Sequence, residues 1–226
     1  RSSKSRKRGC LINKQLVTTI LKNADIESEK FLNEIFDIES KRILHDIKEY
    51  TPLKSVIEEF SEEQKSAALK YIIDVFKECY LVGDLKIHIE VEALKMKAYA
   101  MYFIFDQTKT IYLHFLFVSS EHRGKGVGKS ILSRFKDHAL DTYLLCDFTK
   151  VDYYKSCGFR FMSKANTPLG DNFKMSKYLY HSLSIMTDSE SSTQAPIFYL
   201  NDSDLRIISG VSEIEFQKLA SLESKI

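Results

Sequence analysis

Residues 110–120, TIYLHFLFVSS, are apolar at most positions, so an extended chain here has no face to offer to water. Read at a period of two, Ile111, Leu113, Phe115 and Phe117 fall on one side and Tyr112, His114, Leu116 and Val118 on the other. A strand buried on both faces belongs in the middle of a sheet, with other elements packed above and below it. That placement constrains what every neighbouring segment can be.

Upstream, LKIHIEVEAL alternates apolar and polar residues and KAYAMYFIF is aromatic and apolar, with the turn DQTK leading into the central strand. Three successive strands of this kind form an antiparallel meander. Before them the period is helical. SEEQKSAALKYIIDVFKECY opens on Ser61 with Gln64 three residues later, a capping-box pattern, and stops at Gly83-Asp84. LKSVIEEF reads as a helix, HDIKEYTP (45–52) as a short strand ending at Pro52, and the spacing of Leu16, Ile20, Leu21, Phe31, Ile35 and Ile38 predicts added helices between Asn13 and Leu44. Downstream, KSILSRFKDHAL is an amphipathic helix, TYLLCD a buried strand, KVDYYKSCG a short helix stopped by Gly158, and FRFM and FKMSKYLY two more strands. The polar stretch TDSESSTQ (187–194) reads as a linker, followed by a small strand APIFYL and a helix SEIEFQKLASL.

Composition removes several classes. A chain of 226 residues, 44% apolar and 28% charged, buries a core without staples. Its four cysteines, at 10, 79, 146 and 157, form no CxxC pair and have no histidine at zinc spacing, so no metal is expected and reduced thiols are. The longest apolar runs fall far short of the roughly 20 residues a membrane helix needs, which predicts a cytoplasmic chain without membrane partners. A net charge of +2 gives no general reason to bind nucleic acid. The one basic run, RSSKSRKR at residues 1–8, reads as a solvated terminus or as a short nuclear-import or nucleic-acid-binding tail.

Directly after the central strand comes RGKGVGKS (123–130), a glycine loop opening a helix. Such a loop presents backbone N–H groups and the positive end of a helix dipole to phosphate. A nucleoside-triphosphatase loop, G-x-x-x-x-G-K-[ST], requires glycine at 123, where Arg123 stands. The dinucleotide fingerprint G-x-G-x-x-G requires a third glycine where Lys129 stands. What fits is R-x-x-G-x-G at Arg123, Gly126 and Gly128, and farther on stands YYKSCGF at 153–159.

These two motifs, in this order of elements, resemble the GNAT superfamily of acyl-CoA N-acyltransferases, whose pyrophosphate loop is [QR]-x-x-G-x-[GA] and whose members commonly carry [FY]-Y-x-x-x-G-F. The resemblance covers roughly residues 45–182. It implies an α/β (α+β) fold with a mixed, mostly antiparallel central sheet flanked by helices and an N-terminal helical extension. The implied organisation is a basic tail and helical extension over 1–44, an acetyltransferase-like domain over 45–185, and a linker with a C-terminal extension over 186–226. It also implies acetyl-CoA as co-substrate, with Arg123, Gly124, Lys125, Gly126, Val127, Gly128 and Lys129 around its pyrophosphate and the Val118 backbone N–H at the thioester carbonyl.

The implied reaction is attack of a primary amine on the thioester in a ternary complex, and it asks for a base, an oxyanion donor and an acid for the leaving thiolate. Tyr154 stands where some members use a tyrosine hydroxyl as general acid; its other reading, shared with Tyr153, is packing of the short helix. For the base, His114 is the first candidate, since arylalkylamine acetyltransferases carry histidines at the registers of Tyr112 and His114, and imidazole titrates near neutral pH. Glu90 and Glu92 on the meander are alternatives; both also read as a solvated strand face. His122 reads as a surface residue beside the loop, and Cys146 and Cys157 as thiols rather than nucleophiles. Asp147 departs from the family, which commonly has asparagine there for the pantetheine arm. The acceptor stays open among a small amine, a protein lysine or N-terminus, and aminoacyl-tRNA, with specificity expected in the early helices and around SKANTPLGDN. A second copy of the chain is a candidate partner, and a non-catalytic acyl-CoA-binding module is the alternative function.

Overall fold

The computed structural model describes residues 26–136, 140–168, 170–190 and 196–223. The basic run at 1–8, Cys10, and Leu16, Ile20 and Leu21 of the expected early helices lie outside these.

Helix α1 (Ile26–Tyr50) buries Ile35, Phe36, Ile43, Leu44 and Ile47 along one stripe. The strand expected over 45–52 is therefore not formed. Ile43 and Ile47 keep the helical spacing beyond residue 45, and the helix ends where the Thr51 hydroxyl donates to the Ile47 carbonyl at 2.7 Å, ahead of Pro52. The short α2 (Lys54–Glu58) leads into α3 (Glu62–Val82), which carries the expected capping box. The Gln64 N–H donates to Ser61 Oγ at 3.2 Å, and the Ser61 N–H donates to Gln64 Oε1 at 2.9 Å. Gly83, at φ +90°, closes α3 in the left-handed conformation.

Strands β1 (Leu85–Glu92), β2 (Lys95–Phe105) and β3 (Thr110–Val118) form the antiparallel meander. The glycine loop then enters α4 (Val127–Lys136), and β4 (Asp141–Cys146) runs parallel to β3. After α5 (Val151–Ser156) come β5 (Arg160–Lys164) and β6 (Ser184–Thr187), and β6 inserts between β4 and β5 to give the order β1-β2-β3-β4-β6-β5. Helices α6 (Asp202–Ser209) and α7 (Glu213–Glu223) complete the described chain.

Three sequence expectations change in this half. FKMSKYLY forms no strand, because the buried Asp202 carboxylate accepts the N–H groups of Lys174 (2.8 Å), Met175 (3.1 Å) and Ser176 (2.7 Å) and closes a turn instead of a ladder. The strand that pairs β4 with β5 is SIMT, at the edge of the stretch read as linker. APIFYL forms no strand in its described residues; its Leu200 is buried and its Phe198 stacks on Phe103 at 4.9 Å between ring centroids, so the segment is held by side chains. The helix expected in SEIEFQKLASL is α7, and α6 precedes it, capped by Asn201.

β3 also differs from a regular strand. Phe115 pairs with Met101 and Leu113 with Tyr102, leaving His114 opposite no partner, a β-bulge that reverses the faces beyond it. Ile111, Leu113, Leu116 and Val118 pack on the α4 side, whereas Tyr112, Phe115 and Phe117 pack with α1 and α3. His114 goes with the second group, against Phe76 of α3, rather than sharing a face with Val118.

One buried polar network ties α1 to the sheet. The Glu39 carboxylate, wholly buried, accepts from the Tyr99 hydroxyl at 2.8 Å and from Arg42 Nε at 2.9 Å, and Arg42 Nη1 donates to Asp46 at 2.9 Å. Burial raises the Glu39 carboxyl above its ordinary range despite the Arg42 guanidinium beside it. Tyr99→Phe removes one of its donors. We expect this variant to lose ~1–3 kcal/mol in urea denaturation while keeping its fold; unchanged stability would mean that Arg42 alone satisfies the carboxylate.

Candidate active site

The pairing of β3 with β4 covers only Thr110–Leu113 against Asp141–Leu144. Beyond Leu113, β3 stays paired to β2 while β4 goes on with β6, so the two parallel strands part. A cleft of about 970 Å³ passes through the gap, lined on one side by the glycine loop and on the other by α1 and the segment around Phe198. The backbone of β3 borders it. The Ser119 N–H donates to the Lys97 carbonyl of β2 at 2.9 Å, and because N–H direction alternates along a strand, the Val118 N–H turns to the parted side.

The loop side is built from backbone. Gly124 and Gly126 adopt φ +73° and +80°, with nothing near the position a Cβ would take, so the loop is open to the cleft there. The first backbone bond of α4 runs from the Ser130 N–H to the Gly126 carbonyl, which leaves the N–H groups of Val127, Gly128 and Lys129 without intrahelical acceptors. Gly128 has no room for a side chain, since the Tyr153 hydroxyl occupies that space. Arg123 Nε donates to the Val118 carbonyl at 2.9 Å and ties the loop back to the end of β3. Arg123, Gly124, Gly126, Val127, Gly128 and Lys129 all line the cleft, and Lys125 does not. Three peptide N–H groups at a helix start, two cationic side chains and an open glycine turn suit a diphosphate.

The remaining expected residues divide. Tyr154 lines the cleft between the loop and β4, edge-on to Tyr153 at 5.1 Å, and burial raises its phenol well above the ordinary range, so it stays protonated. Cys146 and Cys157 also line the cleft; burial pushes the Cys146 thiol up to about 11, which keeps it from acting as a thiolate. Asp147 uses its carboxylate to accept the Thr149 N–H at 2.7 Å, which holds it below the usual carboxylate range. Glu90 and Glu92 lie away from the cleft: Glu90 pairs with Arg134 at 3.2 Å, and Glu92 with His122 at 2.8 Å and Lys97 at 3.7 Å. His122 is bonded to Ser119 Oγ at 2.7 Å as well, so it braces the turn before the loop.

His114 is the residue whose surroundings depart most from expectation. Part of it faces the cleft, yet both ring nitrogens are buried without a hydrogen-bond partner. Its ring lies 5.4 Å from Phe76, 6.1 Å from Phe103, 5.9 Å from Tyr112 and 5.8 Å from Phe198. Desolvation, with a smaller contribution from the Arg42 cation, lowers its pKa to about 3, so the imidazole is neutral at any physiological pH.

The side of the cleft opposite the loop is made by residues that the sequence did not single out: Arg42, Asp46 and Tyr50 of α1, then Tyr180, Phe198 and Leu200. A signal existed for the first group. Glu39 and Arg42 interrupt the apolar stripe of α1 between Phe36 and Ile43, and a charge on a buried helix face implies a partner inside. For Phe198, a ring in an unpaired segment, no local pattern exists. Among the described residues, no group of three or more His, Cys, Asp or Glu is placed to hold a metal ion, and no helix is long and apolar enough to cross a membrane.

A family model described as acetyltransferase (GNAT) family matches residues 47–159. No curated protein matches the chain. Solved structures similar to it include a protein titled histone acetyltransferase HPA2 and related acetyltransferase, from Corynebacterium glutamicum, at 16% identity over 72% of this chain and 93% of that one, TM-score 0.48. ElaA of Escherichia coli is 19% identical over 58% of this chain and 94% of its own, TM-score 0.37. Tetrahymena GCN5 is 15% identical over 67% and 89%, TM-score 0.38.

The His114 environment yields a pH dependence. Its ordinary pKa of 6.5 drops to about 3 in the fold, so between these values the unfolded chain binds a proton that the folded chain does not. Stability is therefore lost as pH falls from 6.5 toward 3, by up to ~1.4 kcal/mol per pH unit from this group. His114→Phe should flatten that part of the stability-against-pH curve from chemical denaturation. An equal slope in both proteins would show that the imidazole titrates normally.

Proposed function

The chain belongs to the GNAT acetyltransferase family, and from that premise we propose that it transfers an acetyl group from acetyl-CoA to a primary amine, the amine attacking the thioester directly in a ternary complex. The observation that carries the proposal is that a phosphate-suited loop and a parted pair of strands open on one cleft.

Each residue then has a task. The N–H groups of the loop from Gly124 to Gly128 and of the first turn of α4 receive the pyrophosphate, aided by the charges of Arg123 and Lys129; Lys125 adds long-range attraction from outside the cleft. The Val118 N–H donates to the thioester carbonyl and strengthens its bond as negative charge grows on the oxygen. As the C–N bond forms and the C–S bond breaks, the Tyr154 hydroxyl gives its proton to the departing sulfur, and the proton lost by the amine nitrogen passes through solvent to the Tyr154 phenolate and restores it.

How the amine becomes uncharged follows from the His114 surroundings. The same dry aromatic wall that keeps the imidazole neutral disfavours an ammonium ion beside it and favours the free amine needed for attack. With both ring nitrogens buried and unpartnered, His114 serves as part of that wall rather than as the base.

Calorimetry with acetyl-CoA, and release of free thiol with a panel of amines, test the reading. Gly126→Val, which forces a β-branched residue into a left-handed conformation, should weaken acetyl-CoA binding about tenfold or more. Tyr154→Phe should bind acetyl-CoA normally and lose about a hundredfold or more in kcat. Acetyl-CoA binding without turnover of any amine would favour the non-catalytic module, and absence of both would refute the assignment.

A further inference from the structure

The two ends of the cleft differ in chemistry. Around the loop lie Arg123, Lys129 and Lys150, with Asp147 already committed to the Thr149 N–H. At the far end the charges are Arg42 and Asp46, bonded to each other at 2.9 Å, and Arg42 is also drawn back by the buried Glu39. Asp46 and Asp147 are the only carboxylates among the described residues that line the cleft. An acceptor with several ammonium groups, such as a polyamine or a lysine-rich peptide, would meet one carboxylate that Arg42 already neutralises, and the cations of the loop beyond it.

The rest of the far end is largely aromatic and aliphatic. Tyr112, Phe115, Leu179, Tyr180, Phe198 and Leu200 face it, and the Arg42 guanidinium lies over the Phe115 ring, 4.4 Å from its centroid. Phe198 lies outside any strand or helix. Its ring stacks on Phe103 and closes over His114, but its segment belongs to no strand, and the Leu200 N–H is anchored on the Tyr180 hydroxyl at 2.8 Å. Part of this end lies outside the matched family region of 47–159: Arg42 and Asp46 precede it, and Leu179, Tyr180, Phe198 and Leu200 follow it, whereas Tyr112 and Phe115 lie within it.

We propose that the acceptor is a primary monoamine with an apolar body, seated against the Phe198 wall with its nitrogen toward the parted strands, and that Phe198 sets the size of the body admitted. The proposal rests on the acetyl-transfer reading above. With Asp46 already paired to Arg42, an acceptor that carries no charge beyond its attacking nitrogen needs no further carboxylate at this end, and an apolar body replaces water along the aromatic wall.

The test compares kcat/KM of the full chain, with acetyl-CoA, for 2-phenylethylamine, spermidine and a lysine-containing peptide, and then for the bulkier 2-naphthylethylamine. We expect 2-phenylethylamine to exceed spermidine and the peptide by about tenfold or more. Phe198→Ala should raise the ratio of naphthylethylamine to phenylethylamine by about tenfold. Phe198→Leu, milder on the core, should move the ratio the same way. Equal or better use of spermidine or the peptide would overturn the monoamine class, and an unchanged ratio in both variants would overturn the role of Phe198, each with acetyl transfer intact. Bound acetyl-CoA with no amine acetylated would instead strike the transfer reading and remove this inference with it.

Discussion

β3 keeps β2 and loses β4 after Leu113, and the rest of the site depends on that parting. A continuous parallel ladder would pair the Val118 N–H with a neighbouring strand and fill the space between the loop and α1. The bulge at His114 sits where the parting begins, and bulges bend a strand and change its facing residues. Without the bulge, Phe115 and Phe117 would face α4, and the α1 side would lose the rings that now pack against Tyr99 and under Arg42.

A strand half-released from its sheet must be held by other means. On the α1 side the Glu39–Arg42–Asp46 chain and the Tyr99 hydroxyl supply the ties, and buried polar groups of this kind fix geometry because leaving any one unpaired is costly. On the loop side Arg123 bonds the Val118 carbonyl, and His122 joins Ser119 to Glu92. The same cleft thus has a cationic end with backbone N–H groups free of intrahelical acceptors and another end walled largely by rings. Under the proposed function, acetyl-CoA in this cleft would set its phosphates in the first environment and its acetyl group near the second.

Much of this was legible in the sequence, and the parts that were not share a cause. The capping box at Ser61, the meander, the glycine loop and the Tyr153-Tyr154 helix are local patterns, set by spacing within a few residues, and each forms where the spacing places it. The continuation of α1 past residue 45 was hidden by Pro52, which marks an end but not the element that ends there. The loss of a strand in FKMSKYLY depends on Asp202, a residue from another part of the chain whose carboxylate captures three backbone donors. The face of His114 depends on the register between two strands, which no single-strand pattern contains. Phe198 lines the cleft through packing alone.

The central claim is that one cleft holds the diphosphate on the glycine loop and presents the thioester to the released edge of β3. A crystal structure of the complex with acetyl-CoA measures this most directly. The account predicts pyrophosphate oxygens on the N–H groups between Gly124 and Lys129, and the thioester carbonyl oxygen within hydrogen-bond distance, about 3 Å, of the Val118 nitrogen. A pyrophosphate bound away from the loop, or a thioester carbonyl turned from β3 with Val118 unbonded, would contradict it.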